Sequence, residues 1–276
     1  MVRLRSIRAL ISLACLAIGL CANARQVLAL SVSNGKPVIE YTLKPGEAVQ
    51  GSIELKSNQD QPITVKAYLE DWRYNPIGDG TKEFGPPATM PRSSAGWVSF
   101  SPSELTIPGH GTGIVEYTIR VPEEGNFDGQ YMSVLFFEAI IGEAQQEIAS
   151  DKPMATVRFA ARLGSLVFID VKDTVRREAH VSTLVVTQPS GEGPGKISAK
   201  LFNDSNVFLK CQGSYSVMGE GNLVLGRGAF PDRYIWPGDE VPVEVPWQGS
   251  KPGTLVLTYD CGEGVVVVEE APVTAP

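Results

Sequence analysis

Two immunoglobulin-like β-sandwich domains in tandem, an all-β fold, are what this sequence predicts, and three observations carry the prediction. Apolar and polar residues alternate with period 2 along most of the chain, while helical periodicity is missing, so each run lays one face on a core and the other in water. The runs are short and end in Gly, Pro and Asn turns, without the helical stretches that a parallel sheet would need between its strands. At 276 residues the chain is too long for one small module and suits two domains.

The N-terminal stretch stands apart. Arg3, Arg5 and Arg8 precede the apolar run Ala9 to Leu20, which has the form of a secretory signal and is too short to span a bilayer. Ala22-Asn23-Ala24 is the favoured cleavage site and Val27-Leu28-Ala29 the second candidate, so residues 1–24 are expected to be a cleaved signal peptide. Cleavage takes three of the 24 Lys plus Arg and none of the 31 acids, leaving 21 against 31 and moving the net charge from -7 to -10. That balance excludes a nucleic-acid binder, which needs a cationic surplus. No stable membrane insertion is expected after cleavage.

The first sandwich is expected over residues 30–172. Val49, Gly51, Ile53 and Leu55 alternate with polar residues, as do Ile63 to Leu69 and Val115 to Val121. Their breaks, such as Lys44-Pro45-Gly46-Glu47 and Pro108-Gly109-His110-Gly111, carry turn chemistry. Tyr131 to Ile141 and Leu166 to Val171 are nearly continuous apolar runs and predict central strands covered on both faces. Gly142 to Pro153 reads as a polar connection with a helical turn at Glu143 to Ile148.

Residues 173–270 are expected to form the second sandwich, from seven short strands: Val181 to Val186, Ile197 to Phe202, Val207 to Val217, Leu223 to Phe230, Val241 to Trp247, Leu255 to Tyr259 and Val265 to Val268. Pro242 and Pro246 confine their strand to an edge. Residues 271–276 are expected to be a disordered tail. After signal cleavage only Cys211 and Cys261 remain, and an even pair in an exported chain reads as one disulfide, with an unpaired buried pair and redox chemistry as the alternatives. Tyr259, two residues before Cys261, reads as a core tyrosine beside a hairpin rather than a tyrosine corner.

Little catalytic material is present. The two histidines, His110 and His180, have no acidic orienter with Ser or Cys at local spacing and read as exposed loop residues. Glu70-Asp71 and Glu123-Glu124 read as solvated acids at strand ends, since neighbours on a strand point to opposite faces. No enzyme activity, metal site or cofactor is expected. Asn75 to Gly96 forms a long insertion, and insertions of that length are often functional; Trp72, Tyr74 and Trp97 beside it are candidates for lining a groove or for covering the end of the core. Ala155 to Leu163 is the strongest candidate for partner binding. Val157, Phe159, Ala161 and Leu163 share one face, and at a sheet edge such a row can complete another protein's sheet; in an internal strand it would be core.

Several of these residues carry a resemblance. Lys44-Pro45-Gly46-Glu47 before an alternating strand, Glu70-Asp71-Trp72, Trp97 to Pro102, Leu105 to Gly109, Gly129 to Phe137 and Val157 to Phe168 together resemble the first domain of periplasmic pilus-assembly chaperones of the PapD type, in a divergent form. Leu201 to Asn206 and Pro237-Gly238-Asp239 resemble the companion domain. The resemblance implies two sandwiches set at an angle, with a subunit held along the last strand of the first through Val157, Phe159, Ala161 and Leu163. It also implies a cationic anchor for the subunit's terminal carboxylate, an Arg on the first strand and a Lys late in the last. Here no Arg lies between Gln26 and Trp72, and Leu166 stands before Val167-Phe168. Lys36 and Arg162 are the electrostatic substitutes available. The implied function is an ATP-independent periplasmic chaperone whose partners are exported or pilin-like subunits and an outer-membrane usher. The alternative is an extracellular or cell-surface module that recognises protein or glycan through the long insertion.

Overall fold

The computed structural model describes residues 29–33, 38–146, 155–189, 193–249 and 251–274, with backbone alone at 143–146 and 155–157. The expected signal peptide, Lys36 and the end of the expected helical turn lie outside these residues. The described chain is all-β and forms two sandwiches, the first from strands β1 to β10 and the second from β11 to β18.

In the first sandwich one sheet runs β1 (Leu30–Val32), β3 (Ala48–Ser57), β8 (Thr112–Arg120), β6 (Val98–Ser101). The other runs β2 (Val38–Leu43), β10 (Ala155–Val171), β9 (Gln130–Gln146), β4 (Ile63–Tyr74), β5 (Lys82–Gly85), with β7 (Glu104–Ile107) also on β4. Alternation fixes which face packs: Ile53, Leu55, Val65, Val115, Ile119, Leu135, Phe137, Val167 and Ile169 point inward and form one core. Pairing is antiparallel except where β2 joins β10. The expected helical turn after Gly142 is corrected, because β9 continues as strand to Gln146, held by its ladder with β10.

The second sandwich packs β11 (Ala179–Thr187), β12 (Gly195–Asn203) and β16 (Glu240–Trp247) against β14 (Val224–Ala229), β13 (Leu209–Met218), β17 (Gly253–Asp260) and β18 (Val266–Val273), with β15 (Arg233–Ile235) beside the start of β13. Short β15 adds an eighth strand to the seven expected. The proline-bearing β16 lies at the edge of its sheet. Residues 271–273 belong to β18 and not to a tail: Ala271 and Val273 alternate inward and are buried, and the strand pairs with β17 to its end. Cys211 and Cys261 form a disulfide inside this core. Tyr259 is buried there, and its hydroxyl has no hydrogen-bond partner among the described residues.

A third apolar cluster joins the sandwiches. The outer face of the β9/β10 sheet presents Trp72, Tyr74 and Phe168, and the second sandwich meets them with Trp236, Phe208 and Tyr234. Trp72 stands edge-on to Trp236 at 5.8 Å and Tyr74 packs on Tyr234 at 4.9 Å. Beside them Arg73 pairs with Asp239. Asn206 ties the link: its side-chain amide donates to Asp128 at 2.8 Å and its carbonyl oxygen accepts from the Gln130 N–H at 2.9 Å.

Candidate functional site

β10 is long because two surroundings suit it in turn. Leu166 to Val171 is apolar on both faces, since Val167 and Ile169 enter the first core while Phe168 enters the inter-sandwich cluster. Pairing is then complete on both sides, with β9 antiparallel and β2 parallel along Leu166–Val171. Towards its N-terminus β10 outruns β2. From Ala155 to Ser165 it is paired with β9 alone, and among the described residues no strand occupies its other edge. Unpaired N–H and C=O groups along such an edge are a template for another chain.

The row picked out by the sequence changes character along this edge. Leu163 packs on the first core, Ala161 is half-buried, and Phe159 is 53% exposed. Val157 is placed by backbone alone, in register with Ala144. The bulge that skips Ile141 lies opposite Phe159 and Ala160, and Ile140 there is 52% exposed. The hairpin thus carries apolar side chains outward from the core into solvent.

The other face of the edge is polar and built around Arg162. Its guanidinium lies 3.4 Å from the centre of the Phe136 ring and 2.6 Å from Glu70. Tyr68 stands beside it and donates to Glu138 at 2.7 Å. Burial, reinforced by that hydrogen bond, pushes the Tyr68 phenol up to about 12. Burial alone would lower the Arg162 guanidinium, yet Glu70 and Tyr68 outweigh it and the net direction is up. Next to this group a hollow of about 290 Å³ is floored by Phe84, Phe136, Gly164 and Leu166. Glu70, which the sequence presents as a solvated acid, is instead the ion-pair partner of Arg162; Tyr68 and Phe136 carry no sequence reading of their own, and what unites the group is even spacing on β4 and β9, the two strands next in order beyond β10.

The remaining candidates fall elsewhere. Trp72 and Tyr74 do not line a groove; they are 1% and 6% exposed, because the outer sheet face they occupy is covered by the second sandwich. Trp97 packs on the first core and stacks on Tyr131 at 4.2 Å. The insertion after Tyr74 is partly strand β5, and Asp71 organises the rest. Buried rather than solvated, its carboxylate accepts from the Thr89 and Met90 N–H groups at 2.7 and 2.8 Å and from the Ser93 hydroxyl at 2.5 Å. Both histidines are exposed, and each has an aspartate partner from a distant segment, His110 with Asp60 at 2.9 Å and His180 with Asp204 at 2.5 Å. Local spacing could not show either contact.

Between the sandwiches lies a cleft of about 550 Å³ that includes Asp170, Gln130 and Arg177. Burial raises the Asp170 carboxyl above its ordinary value, against the opposing pull of Gln130 and Arg177. Among the described residues no group of three or more His, Cys, Asp or Glu is placed to hold a metal ion, and no helix is long and apolar enough to cross a membrane.

No protein-family model matches the chain, and no curated protein matches its sequence. Several solved structures are similar in shape. A chain from a chaperone-tip adhesin complex of CFA/I fimbriae biogenesis is 11% identical with a TM-score of 0.47, over 88% of this chain and 99% of that one. The class 5 fimbriae chaperone CfaA is 12% identical with a TM-score of 0.45, over 88% and 100%. The E. coli chaperone DraB is 12% identical with a TM-score of 0.43, over 90% and 97%.

Proposed function

We propose that this chain is a non-enzymatic, ATP-independent chaperone of the periplasm that holds exported or pilus-type subunits by β-strand addition along Ala155–Ser165. The observation that supports this reading is the one-sided pairing of β10, whose open edge carries Phe159 into solvent while its other end is clamped. Backbone pairing would supply affinity, and the row Val157, Phe159, Ala161 and Leu163 would fill the gap in an incomplete partner sheet. An outer-membrane usher is the further partner in this reading, and Arg162 is a cation on the edge that the docked strand would follow.

Co-purification with exported subunits tests the proposal. Phe159→Asp should leave the fold intact, since the side chain is half in solvent, and would place a charge where the proposal requires an apolar contact. Complexes recovered with the parent should be lost with the variant. Complexes that survive Phe159→Asp unchanged would refute the assignment of this edge.

A further inference from the structure

Arg158, Ala160, Arg162 and Gly164 alternate along one face of the open edge, and Ala155–Ser165 contains two arginines and no acid. On the covered side the register sets Arg158 opposite Glu143 and Arg162 opposite Glu138. The register therefore sets both edge-strand arginines across from inner-strand glutamate positions. Arg158 is exposed, and the Arg162 side chain keeps 34% of its exposure although it touches Glu70. A guanidinium has five N–H donors in a planar fork, enough to meet carboxylates on two sides.

We infer, on the basis of the strand-addition reading, that the strand this edge accepts alternates apolar and acidic residues. Its apolar side chains share the face of Phe159, Ala161 and Leu163. Two acids, four residues apart, share the face of Arg158 and Arg162. The spacing holds in either direction, because cross-strand partners of residues 158 and 162 lie four apart in parallel and antiparallel ladders alike. The same arginines select against a second copy of the chain. Antiparallel pairing centred on Ala160 sets each copy's Arg158 against the other's Arg162, and in-register parallel pairing sets each arginine against itself; like charges directly opposite destabilise a ladder.

Three synthetic peptides as long as Ala155–Ser165, identical in apolar alternation and carrying Glu, Ser or Lys at the two positions four residues apart that would face Arg158 and Arg162, test this against the full chain by fluorescence anisotropy. The Glu peptide should bind about tenfold more tightly than the Ser peptide and the Lys peptide least, with the gap narrowing between about 50 mM and about 500 mM salt. Arg158→Glu with Arg162→Glu should reverse the order. Arg158→Glu alone, at an exposed position that does not carry the Phe136 stack, should shift it in the same direction. Equal binding of all three peptides, or an order unchanged in both variants, overturns the acidic preference and leaves strand addition standing. Binding of none, with the β10 amides still open to hydrogen exchange, overturns strand addition itself. Dimers of the parent chain that the Glu peptide disperses would make a second copy the occupant and overturn the inference.

Discussion

Gly164 lies directly across the hairpin from Phe136, and the ring fills the space that a side chain at 164 would need, since a Cβ there would stand 2.8 Å from it. The same cross-strand arrangement recurs at Gly51 with Tyr117 and at Gly213 with Tyr259. In each pair the aromatic ring supplies the packing that the glycine lacks. At Gly164 the ring has a second task as the platform on which Arg162 rests. Gly164→Ala should therefore lower stability by about 1–2 kcal/mol, although alanine is the stiffer residue. A urea midpoint equal to or above the parent's would show that the ring moves aside without cost.

Asp71 should matter more than an acid at a strand end. Asp71→Ala leaves two backbone donors and a hydroxyl without their acceptor and should cost about 2–4 kcal/mol. Asp71→Asn retains one oxygen, and both backbone donors converge on Oδ2, so its loss should be smaller. Limited proteolysis should show cleavage near Thr89 to Ser93 in the alanine variant first.

Asp170 should make stability depend on pH in the less usual direction for a carboxylate. Its folded-state pKa is raised, so the folded chain binds this proton more tightly than the unfolded chain. The stability it contributes is present in full below the ordinary carboxylate value and is lost as pH rises through the raised one. Asp170→Asn should therefore melt above the parent at pH 7. The difference should close as pH falls towards about 4, and a gap that widens on acidification would contradict the assignment.

The disulfide closes a loop with a sequence separation of 50, inside the second core. Replacing both cysteines with serine should cost about 2–4 kcal/mol. The loss should appear in the unfolding of the second sandwich, read by hydrogen exchange in β13 and β17, while exchange in β3 and β8 stays as in the parent. Uniform loss across both sandwiches would mean that they unfold as one unit.

Strands whose two faces differ were legible in the sequence. β3, β4 and β8 each keep one face in the first core, and alternation announced them. The apolar runs in β9 and β10 announced strands covered twice, but not what covers the second face. That is why Trp72 and Tyr74 read either as groove residues or as a cover for the end of the core: a tryptophan facing away from its own core has no visible partner until Trp236, far along the chain, is laid on it. Asp71 misled for the same reason, because its donors come from a loop whose path no local pattern reveals. The edge of β10 was legible as a strand and not as an edge, since the shortness of β2 is a fact about pairing. The Arg162 group needed the hairpin register before its members could be recognised as neighbours.

In mechanical terms the β9/β10 hairpin is a cantilever. Its root, Leu166 to Val171, is gripped from one side by the first core and from the other by the aromatic cluster, with a strand on each flank. Its outer span has one flank and thinning support, down to Phe159 in solvent. On the strand-addition reading, a strand arriving along the open edge would have its alignment set at the root, where both flanks are filled, and would meet the fewest fixed neighbours near Phe159.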